Sequence, residues 1–186
     1  MACALWFTGL PASGKSTLAR LVAQALLARG ERVEVLDGDD IRRHLSHGLG
    51  FSRADREENL RRIAFVADLL SRNGVHAVTA AISPFRAVRD EVRLRLGDRF
   101  VEVYLNAPVE VCAKRDPKGL YARAFSGEIE NFTGVSDPYE PPLQPELTLH
   151  TAVESPQQSA ARVLGYVDEL GSKRPSRSRP ASGMPR

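Results

Sequence analysis

Cysteines and long apolar runs are scarce in this sequence, and each scarcity excludes a class of protein. The 186 residues include only two cysteines, Cys3 and Cys112, too few for the disulfide framework of a small secreted domain. No apolar run approaches the length of about 20 residues that a transmembrane helix needs, and no basic segment precedes an apolar one at the N-terminus. We therefore expect no membrane span and no signal peptide. Both cysteines lie in apolar surroundings, which predicts buried free thiols and a cytoplasmic protein.

A metal-binding cluster is also missing from the sequence. His44 and His47 lie three residues apart, but no cysteine or further histidine completes a set of ligands, so we assign no metal to them. Hydrophobic residues make up 42% of the chain and charged residues 26%. A chain of this length can bury a core without disulfides or metals, and we expect one domain over residues 1–171.

The excess of basic residues is concentrated at one end of the chain. The formal net charge is +3, yet residues 171–186 contain five basic side chains and no acidic one. Without those five, 21 basic and 23 acidic side chains leave a net charge of −2. Residues 172–186 are rich in Ser, Pro and Arg without apolar periodicity, which predicts a disordered basic tail. This distribution favours a solubilising or incidental tail over one that binds RNA or another acidic partner.

A phosphate-binding loop is the strongest positive signal in the sequence. Residues 9–16 read Gly-Leu-Pro-Ala-Ser-Gly-Lys-Ser and fit GxxxxGK[ST] at every fixed position. Gly9 and Gly14 allow successive backbone N–H groups to point into one concavity, which suits a polyphosphate. Lys15 supplies a cation for the β- and γ-phosphates, and Ser16 a hydroxyl for Mg²⁺.

Strands and helices are predicted to alternate along the chain. Strands are expected at residues 2–7, 33–36, 75–82, 100–105 and 147–150, and helices at 17–27, 52–72, 84–96, 108–114 and 156–170. Ser52 and Ser155 are predicted N-caps, and Ser83 with Pro84 is predicted to start the helix at residue 84. Residues 115–145 lack a clear period, which indicates a mobile cover. The pattern predicts an α/β three-layer sandwich with a mostly parallel sheet and a ligand site at the carboxyl ends of its strands.

Polar side chains follow the second predicted strand. Asp37, Asp39 and Arg42 come directly after it. Carboxylates there can hold Mg²⁺ waters or orient an attacking hydroxyl, while the arginine neutralises a substrate phosphate. The structural alternative is a turn in which Asp39 only caps the next helix.

Two aromatic positions have structural and functional interpretations. Phe51 is either a hydrophobic staple, with Arg56 and Asn59 on a solvated helix face, or part of a binding site. Phe132 lies among glycines in the predicted cover and is either an aromatic that stacks on a base or an anchor of the loop. For Phe51, taken alone, the residues favour the structural interpretation, whereas composition does not separate the two alternatives for Phe132.

Taken together, these segments resemble the adenylylsulfate kinases, which phosphorylate the 3′-hydroxyl of adenosine 5′-phosphosulfate. The resemblance covers residues 4–170 and rests on the motifs GLPASGKST, LDGDDIR, LGFSRADREENLRRIA, ISPFR, DPKGLY and NFTGVSDPYE. It implies a P-loop kinase fold with a mobile lid, ATP and Mg²⁺ as cofactors, adenosine 5′-phosphosulfate as substrate, a function in sulfate activation, and a homodimer. It does not imply a nucleic-acid or membrane partner.

The resemblance also implies which positions form the site. ATP would contact Gly9, Ala12, Ser13, Gly14, Lys15, Ser16 and Thr17, and Mg²⁺ would contact Ser16 and Asp37. The acceptor would contact Asp39, Arg42, Phe51, Arg56, Asn59, Ile82, Ser83, Lys118 and Phe132. The two phenylalanines would enclose its adenine. The catalytic set would be Lys15, Asp37, Asp39 and Ser83, with Asp39 orienting the 3′-hydroxyl and Ser83 matching a serine that is phosphorylated in the family.

Asp40 departs from the family pattern. The family usually has Asn at this position, so Asp40 adds a negative charge beside a site for two anions, which costs energy unless a metal or an arginine offsets it. Two alternatives stay open, and Asp40 bears on the first of them. One is a kinase of the same fold with another nucleotide-like acceptor, and the other is a non-catalytic nucleotide-binding module that works through its basic tail.

Overall fold

The structure is a computed structural model that describes residues 2–173, and within them the apolar runs form five strands and seven α-helices. The strands are β1 (Ala4–Thr8), β2 (Val33–Asp37), β3 (His76–Ala80), β4 (Phe100–Leu105) and β5 (Leu147–Leu149). The helices are α1 (Lys15–Ala28), α2 (Gly38–His44), α3 (Arg53–Arg72), α4 (Arg86–Leu96), α5 (Val109–Arg115), α6 (Leu120–Phe125) and α7 (Pro156–Lys173), and a short 3₁₀ helix spans Gly97–Arg99. The predicted tail lies outside the described residues, except for residues 172 and 173, which continue α7.

The predicted parallel sheet is confirmed. Its strand order is β2-β3-β1-β4-β5, and all four neighbouring pairs are parallel. Asp37 at the end of β2 pairs with Ala80 at the end of β3, and Phe7 near the end of β1 pairs with Ala80 from the other side. The segments that follow these three strands therefore meet at one edge of the sheet.

The apolar core consists of two clusters, one on each face of the sheet, and β1 contributes to both. Leu5 and Phe7 pack against α1 and α7, whereas Ala4 and Trp6 pack against α3 and α4. This alternation follows from the two-residue period of a strand, and burial on both faces explains the continuous apolar run. A third cluster, which we call the lid cluster, contains Ala107, Cys112, Tyr121, Ala124 and Phe132. No helix among residues 2–173 has the length and apolar character to cross a membrane.

Two helix starts confirm the predicted caps. The Ser52 hydroxyl accepts a hydrogen bond from the Asp55 N–H at 3.2 Å. Ser155 and Gln158 form a reciprocal pair, in which the Gln158 N–H donates to the Ser155 hydroxyl and the Ser155 N–H donates to the Gln158 side chain. Such pairs satisfy N–H groups that the first helical turn leaves without partners. The last helix continues past Gly171, where the sequence predicts its end.

The predicted start of α4 at Ser83 and Pro84 is wrong. The helix begins at Arg86, and its first N–H donates to the Glu140 carboxylate at 2.8 Å. Ser83 has a positive φ of 48°, and its hydroxyl accepts a hydrogen bond from the Trp6 indole N–H at 3.0 Å. Because that hydroxyl is engaged elsewhere, a carboxylate distant in sequence caps the helix.

Asp39 does not cap α2 either. The helix begins at Gly38, and the side chain of Asp37 accepts a hydrogen bond from the Asp39 N–H at 3.0 Å. The Asp39 carboxylate is therefore not required as a cap.

Candidate active site

A cavity of about 890 Å³ lies where the segments after β1, β2 and β3 meet. Its volume falls within the range of small-molecule sites. It is lined by every residue that the sequence analysis assigns to ATP, metal, acceptor or catalysis, except Gly9. The topology thus brings together groups that lie up to 120 positions apart in the sequence.

The phosphate-binding loop has the backbone that its glycines predict. Gly9 and Gly14 have φ values of 149° and 103°, and a Cβ at Gly9 would lie only 2.7 Å from the Leu105 carbonyl oxygen. Ala12 also has a positive φ, of 58°. Helix α1 begins at Lys15, so its first N–H groups follow the loop directly and form an anion-binding end.

Lys15 is buried within this loop. Its ammonium group donates to the carbonyl oxygens of Gly9 at 2.9 Å and Leu10 at 2.6 Å. Burial lowers the pKa of Lys15 to about 8, although the carboxylates of Asp37 and Asp39 favour the charged form. A cation held in a dry site interacts strongly with a phosphate that replaces these carbonyl contacts.

The residues predicted to hold Mg²⁺ contact each other. The Ser16 hydroxyl donates to the Asp37 carboxylate at 2.7 Å. A hydroxyl and a carboxylate are hard oxygen ligands, and Mg²⁺ in kinases is held by one or two such groups together with substrate phosphates. The donor set therefore fits Mg²⁺.

The two predicted adenine-binding aromatics both line the cavity, and each lies in a different loop. Phe51 precedes α3 and is 66% exposed, with the Arg42 guanidinium carbon 4.6 Å from its ring centre. This exposure contradicts the interpretation of Phe51 as a hydrophobic staple. Phe132 is buried in the lid cluster, with its ring in an edge-to-face contact with Tyr121 at 5.0 Å.

Arg56 connects the loops that carry these two aromatics. Its guanidinium donates to the Phe51 carbonyl at 2.8 Å, to the Thr133 hydroxyl at 2.6 Å and to the Asn131 carbonyl. Burial lowers the pKa of Arg56, and the nearby Asp137 carboxylate opposes that shift. One half-buried cation therefore positions both loops at the cavity wall.

Asn59 presents a buried polar atom at the same wall. The residue is 5% exposed, and its side-chain oxygen has no hydrogen-bond partner among the described residues. Buried polar atoms almost always have a partner. A ligand in the cavity that offers a hydroxyl or an amino group would supply one.

Ile82 and Ser83 form the wall that follows β3. The Ile82 carbonyl accepts a hydrogen bond from the Thr8 hydroxyl at 2.8 Å. Ser83 is 1% exposed, and its hydroxyl is bonded to Trp6. In this geometry Ser83 supports the wall, and its phosphorylation stays a prediction.

An ion pair spans the mouth of the cavity. Lys118, from the segment before α6, contacts the Asp39 carboxylate, and both side chains are more than half exposed. Asp40, the departure from the family pattern, pairs with Arg43 at 2.6 Å on the exposed side of α2. The extra negative charge of Asp40 is thus offset by a neighbouring arginine.

Part of the cavity wall, near α7, is formed by residues that the sequence did not predict to belong to the site. Thr151 donates to the Ser13 carbonyl at 2.9 Å, and Arg115 contacts the same carbonyl at 3.5 Å. Both residues line the cavity together with Glu154 and Ser159. Thr151 lies two residues after β5, so the rule that ligands bind at strand ends could have identified it.

Comparison with known proteins links this geometry to one family. The sequence model described as adenylylsulphate kinase matches residues 1–150. The adenylyl-sulfate kinase of Gloeothece citriformis is 53% identical over 167 residues, which cover 90% of this chain and 94% of that protein.

Two solved structures extend the comparison to three dimensions. The structure of the Mycobacterium tuberculosis APS kinase CysC in complex with AMPPNP and APS has a TM-score of 0.85 and 45% identity, covering 90% of this chain and 98% of that one. The hexameric APS kinase from Thiobacillus denitrificans has a TM-score of 0.70 and 34% identity, covering 92% of this chain and 29% of that one.

Proposed function

This chain belongs to the adenylylsulphate kinase family, and from that premise we propose that it transfers the γ-phosphoryl group of ATP to the 3′-hydroxyl of adenosine 5′-phosphosulfate. The product is 3′-phosphoadenosine 5′-phosphosulfate, and the chain is an adenylyl-sulfate kinase of sulfate activation. The observation that carries the proposal is that one cavity joins a phosphate-binding loop to a wall formed by Phe51, Arg56, Asn59 and Phe132.

The donor half of the cavity binds ATP through the phosphate-binding loop. The N–H groups of the loop and of the first turn of α1 surround the β- and γ-phosphates, and Lys15 exchanges its carbonyl contacts for phosphate oxygens. Ser16 and Asp37 would hold Mg²⁺, which neutralises the phosphate charge when bound. Arg115 and Thr151 fix the Ser13 carbonyl and thereby the shape of the loop.

The acceptor half orients the attacking hydroxyl. Phe51 and Phe132 enclose the adenine, and Arg42, Arg56 and Asn59 bind the phosphosulfate and ribose. The 3′-oxygen attacks the γ-phosphorus in line while the bond to the β–γ bridging oxygen breaks, and ADP leaves. The Asp39 carboxylate orients the hydroxyl and accepts its proton.

Lys118 links phosphoryl transfer to closure of the lid, which we define as residues 116–140. In the structure its ammonium group is paired with Asp39. Transfer of this cation to the phosphates would free the carboxylate for the acceptor and offset charge that develops during transfer. Three lid residues, Tyr121, Ala124 and Phe132, pack together with Ala107 and Cys112 of the preceding segment, and we propose that the lid closes over the site about this contact and excludes water.

We also propose a homodimer in the cytoplasm. The buried free thiols of Cys3 and Cys112 support a reducing compartment. Because one relative is described as hexameric, the oligomeric state of this chain has to be measured. Sedimentation distinguishes a dimer from a hexamer by mass.

The proposed activity is tested by ADP release from the purified chain with MgATP, measured with and without adenosine 5′-phosphosulfate. We expect acceptor-dependent release and a product with a 3′-phosphate. Tight MgATP binding without acceptor-dependent release would contradict the proposed acceptor, and Asp40→Asn would then be the first variant to examine.

The acceptor site is tested by Phe51→Ala in the same assay. Loss of one stacking ring should raise the KM for adenosine 5′-phosphosulfate by about 10-fold or more and change the KM for ATP by less than about twofold. Phe65→Ala is the matched control, because Phe65 is also an exposed aromatic under an arginine, 5.2 Å from Arg95, but is not among the residues that line the cavity. An equal effect of Phe51→Ala on both Michaelis constants would argue against stacking.

A further inference from the structure

The segment at residues 82–84 lines the cavity although it belongs to no strand or helix. Ser83 has a φ of 48°, in the left-handed region that a residue with a side chain adopts when its surroundings hold it there. The Ile82 carbonyl is held by the Thr8 hydroxyl. The conformation of this wall therefore depends on contacts from other parts of the chain.

Arg89 of α4 supplies one of these contacts from beneath the wall. It is 2% exposed, and its guanidinium donates to the Ser83 carbonyl at 2.5 Å, to the Glu140 carbonyl at 2.6 Å and to the Glu102 carboxylate at 2.8 Å. The three bonds use three different nitrogens, an arrangement that the planar guanidinium permits and a single ammonium group does not. One side chain thus joins the acceptor wall, the end of the lid and the central sheet.

The charge of Arg89 is compensated by the buried carboxylate of Glu102, which belongs to a cluster with two partly exposed charges. Glu102 also accepts a hydrogen bond from Arg93 at 3.2 Å, and Arg93 pairs with Glu146 at 2.5 Å. Two arginines therefore face two glutamates, which reduces the cost of burying each charge. Among the described contacts, Arg93 donates hydrogen bonds to these two carboxylates only.

We propose that Arg89 is a positioning residue for the acceptor half of the active site. It touches no substrate, and it acts by holding the Ser83 carbonyl and the Glu140 carbonyl so that the wall at residues 82–84 keeps its shape. This inference rests on the proposed function, since it concerns the site of adenosine 5′-phosphosulfate. The inference assigns an indirect role in acceptor binding to Arg89, which does not itself line the cavity.

The test compares Arg89→Lys with Arg93→Lys in the full chain. Lysine at position 89 retains the charge opposite Glu102, but its single nitrogen cannot occupy the three separate donor positions from which the guanidinium reaches Ser83, Glu140 and Glu102. We expect the KM for adenosine 5′-phosphosulfate to rise by about 10-fold, with the KM for ATP changed by less than about twofold. Arg93→Lys perturbs the same ion-pair cluster and should leave both Michaelis constants near those of the wild type. Equal changes in both constants for Arg89→Lys, or the same split for Arg93→Lys, would overturn the proposal.

Two further measurements complete the test. The first does not depend on activity, and the second avoids an uncompensated charge in the core. Trp6 is the one tryptophan in the sequence, and its indole donates to the Ser83 hydroxyl, so its fluorescence reports on the wall. Arg89→Lys should shift this emission more than Arg93→Lys, because Arg93 reaches Trp6 only through the ring of Phe100 among the described residues. If the wild type lacks acceptor-dependent ADP release, the proposed function fails, while an unchanged Trp6 emission in Arg89→Lys sinks the positioning proposal separately.

The double variant Arg89→Gln with Glu102→Gln removes the cation together with its counterion. It should show the same rise in acceptor KM without an uncompensated buried charge. A folded double variant with wild-type acceptor KM would also overturn the proposal.

Discussion

Lys15, which we propose to bind phosphate, is a buried cation whose desolvation opposes folding. Burial lowers its pKa to about 8 from the ordinary value of 10.5. Between these pH values the unfolded chain binds a proton that the folded chain releases, so stability rises with pH across this window. Below about pH 8 the folded protein bears the full cost of the buried cation, which its bonds to Gly9 and Leu10 offset only in part.

We therefore predict that Lys15→Met stabilises the protein at pH 7 while it abolishes activity. The free energy of unfolding should rise by about 1 to 2 kcal/mol, and the gain should shrink at pH 10, where the wild-type lysine is neutral. Phosphoryl transfer should fall by at least about 100-fold. Urea unfolding at both pH values and the ADP-release assay measure these effects. A variant less stable than the wild type at pH 7 would show that the carbonyl contacts outweigh the desolvation of the cation.

At the scale of elements, α6 is a helix that depends on contacts outside itself. Its six residues are too few for a stable isolated helix. The Asp116 carboxylate accepts hydrogen bonds from the N–H groups of Leu120 at 2.8 Å and Ala122 at 3.1 Å. Tyr121 donates its hydroxyl to the Pro11 carbonyl at 3.1 Å and packs its ring against Phe132. The helix therefore joins the phosphate-binding loop to Phe132, an aromatic that lines the cavity.

We predict that Tyr121→Phe weakens ATP binding while leaving the lid cluster packed. One lost hydrogen bond corresponds to a rise of about 2- to 10-fold in the KM or Kd for ATP. Tyr104→Phe is the matched control, since it removes a tyrosine hydroxyl whose contact with Asn106 is longer, at 3.4 Å. Nucleotide titration of both variants measures the effect, and wild-type affinity in Tyr121→Phe would mean that the bond to Pro11 does not shape the loop.

At the scale of the whole molecule, the two thiols report on different parts of the core. Cys3 belongs to a cluster packed against the central sheet, and burial raises its pKa to about 12. Cys112 belongs to the lid cluster, and burial raises its pKa as well. Exposure of Cys3 requires opening of the central sheet, whereas exposure of Cys112 requires only opening of the lid cluster, and such local openings need less free energy.

We predict that neither thiol reacts readily in the native protein and that Cys112 reacts first. With a thiol reagent at pH 8, labelling of Cys112 should exceed that of Cys3 by about 10-fold, as expected for a difference of about 1.4 kcal/mol in opening free energy. MgATP should slow the labelling of Cys112. Peptide mapping by mass spectrometry separates the two sites, and equal rates would indicate that the protein opens as one cooperative unit.

Local patterns in the sequence predicted most of the elements, whereas most of the proposed acceptor-site residues were implied only by the family resemblance. The glycines and Lys15 of the phosphate-binding loop, the N-caps at Ser52 and Ser155, and the apolar strands all depend on residues within a few positions of each other. Asp37 was placed at the cavity by the parallel order of the strands. The start of α4 was not predictable in this way, because Arg86 is capped by Glu140, 54 residues away.

The sequence by itself determined the alternation of strands and helices, the phosphate-binding loop and the residues that meet at one edge of the sheet. These follow from periodicity, from backbone geometry and from the rule that parallel strands present their carboxyl ends at one edge of the sheet, whereas the strand order itself came from the structure. Only the tertiary structure decided that Arg89 holds the acceptor wall, that Lys118 pairs with Asp39 and that Arg56 joins two loops. Such contacts depend on distances between side chains far apart in the sequence, and packing alone sets those distances.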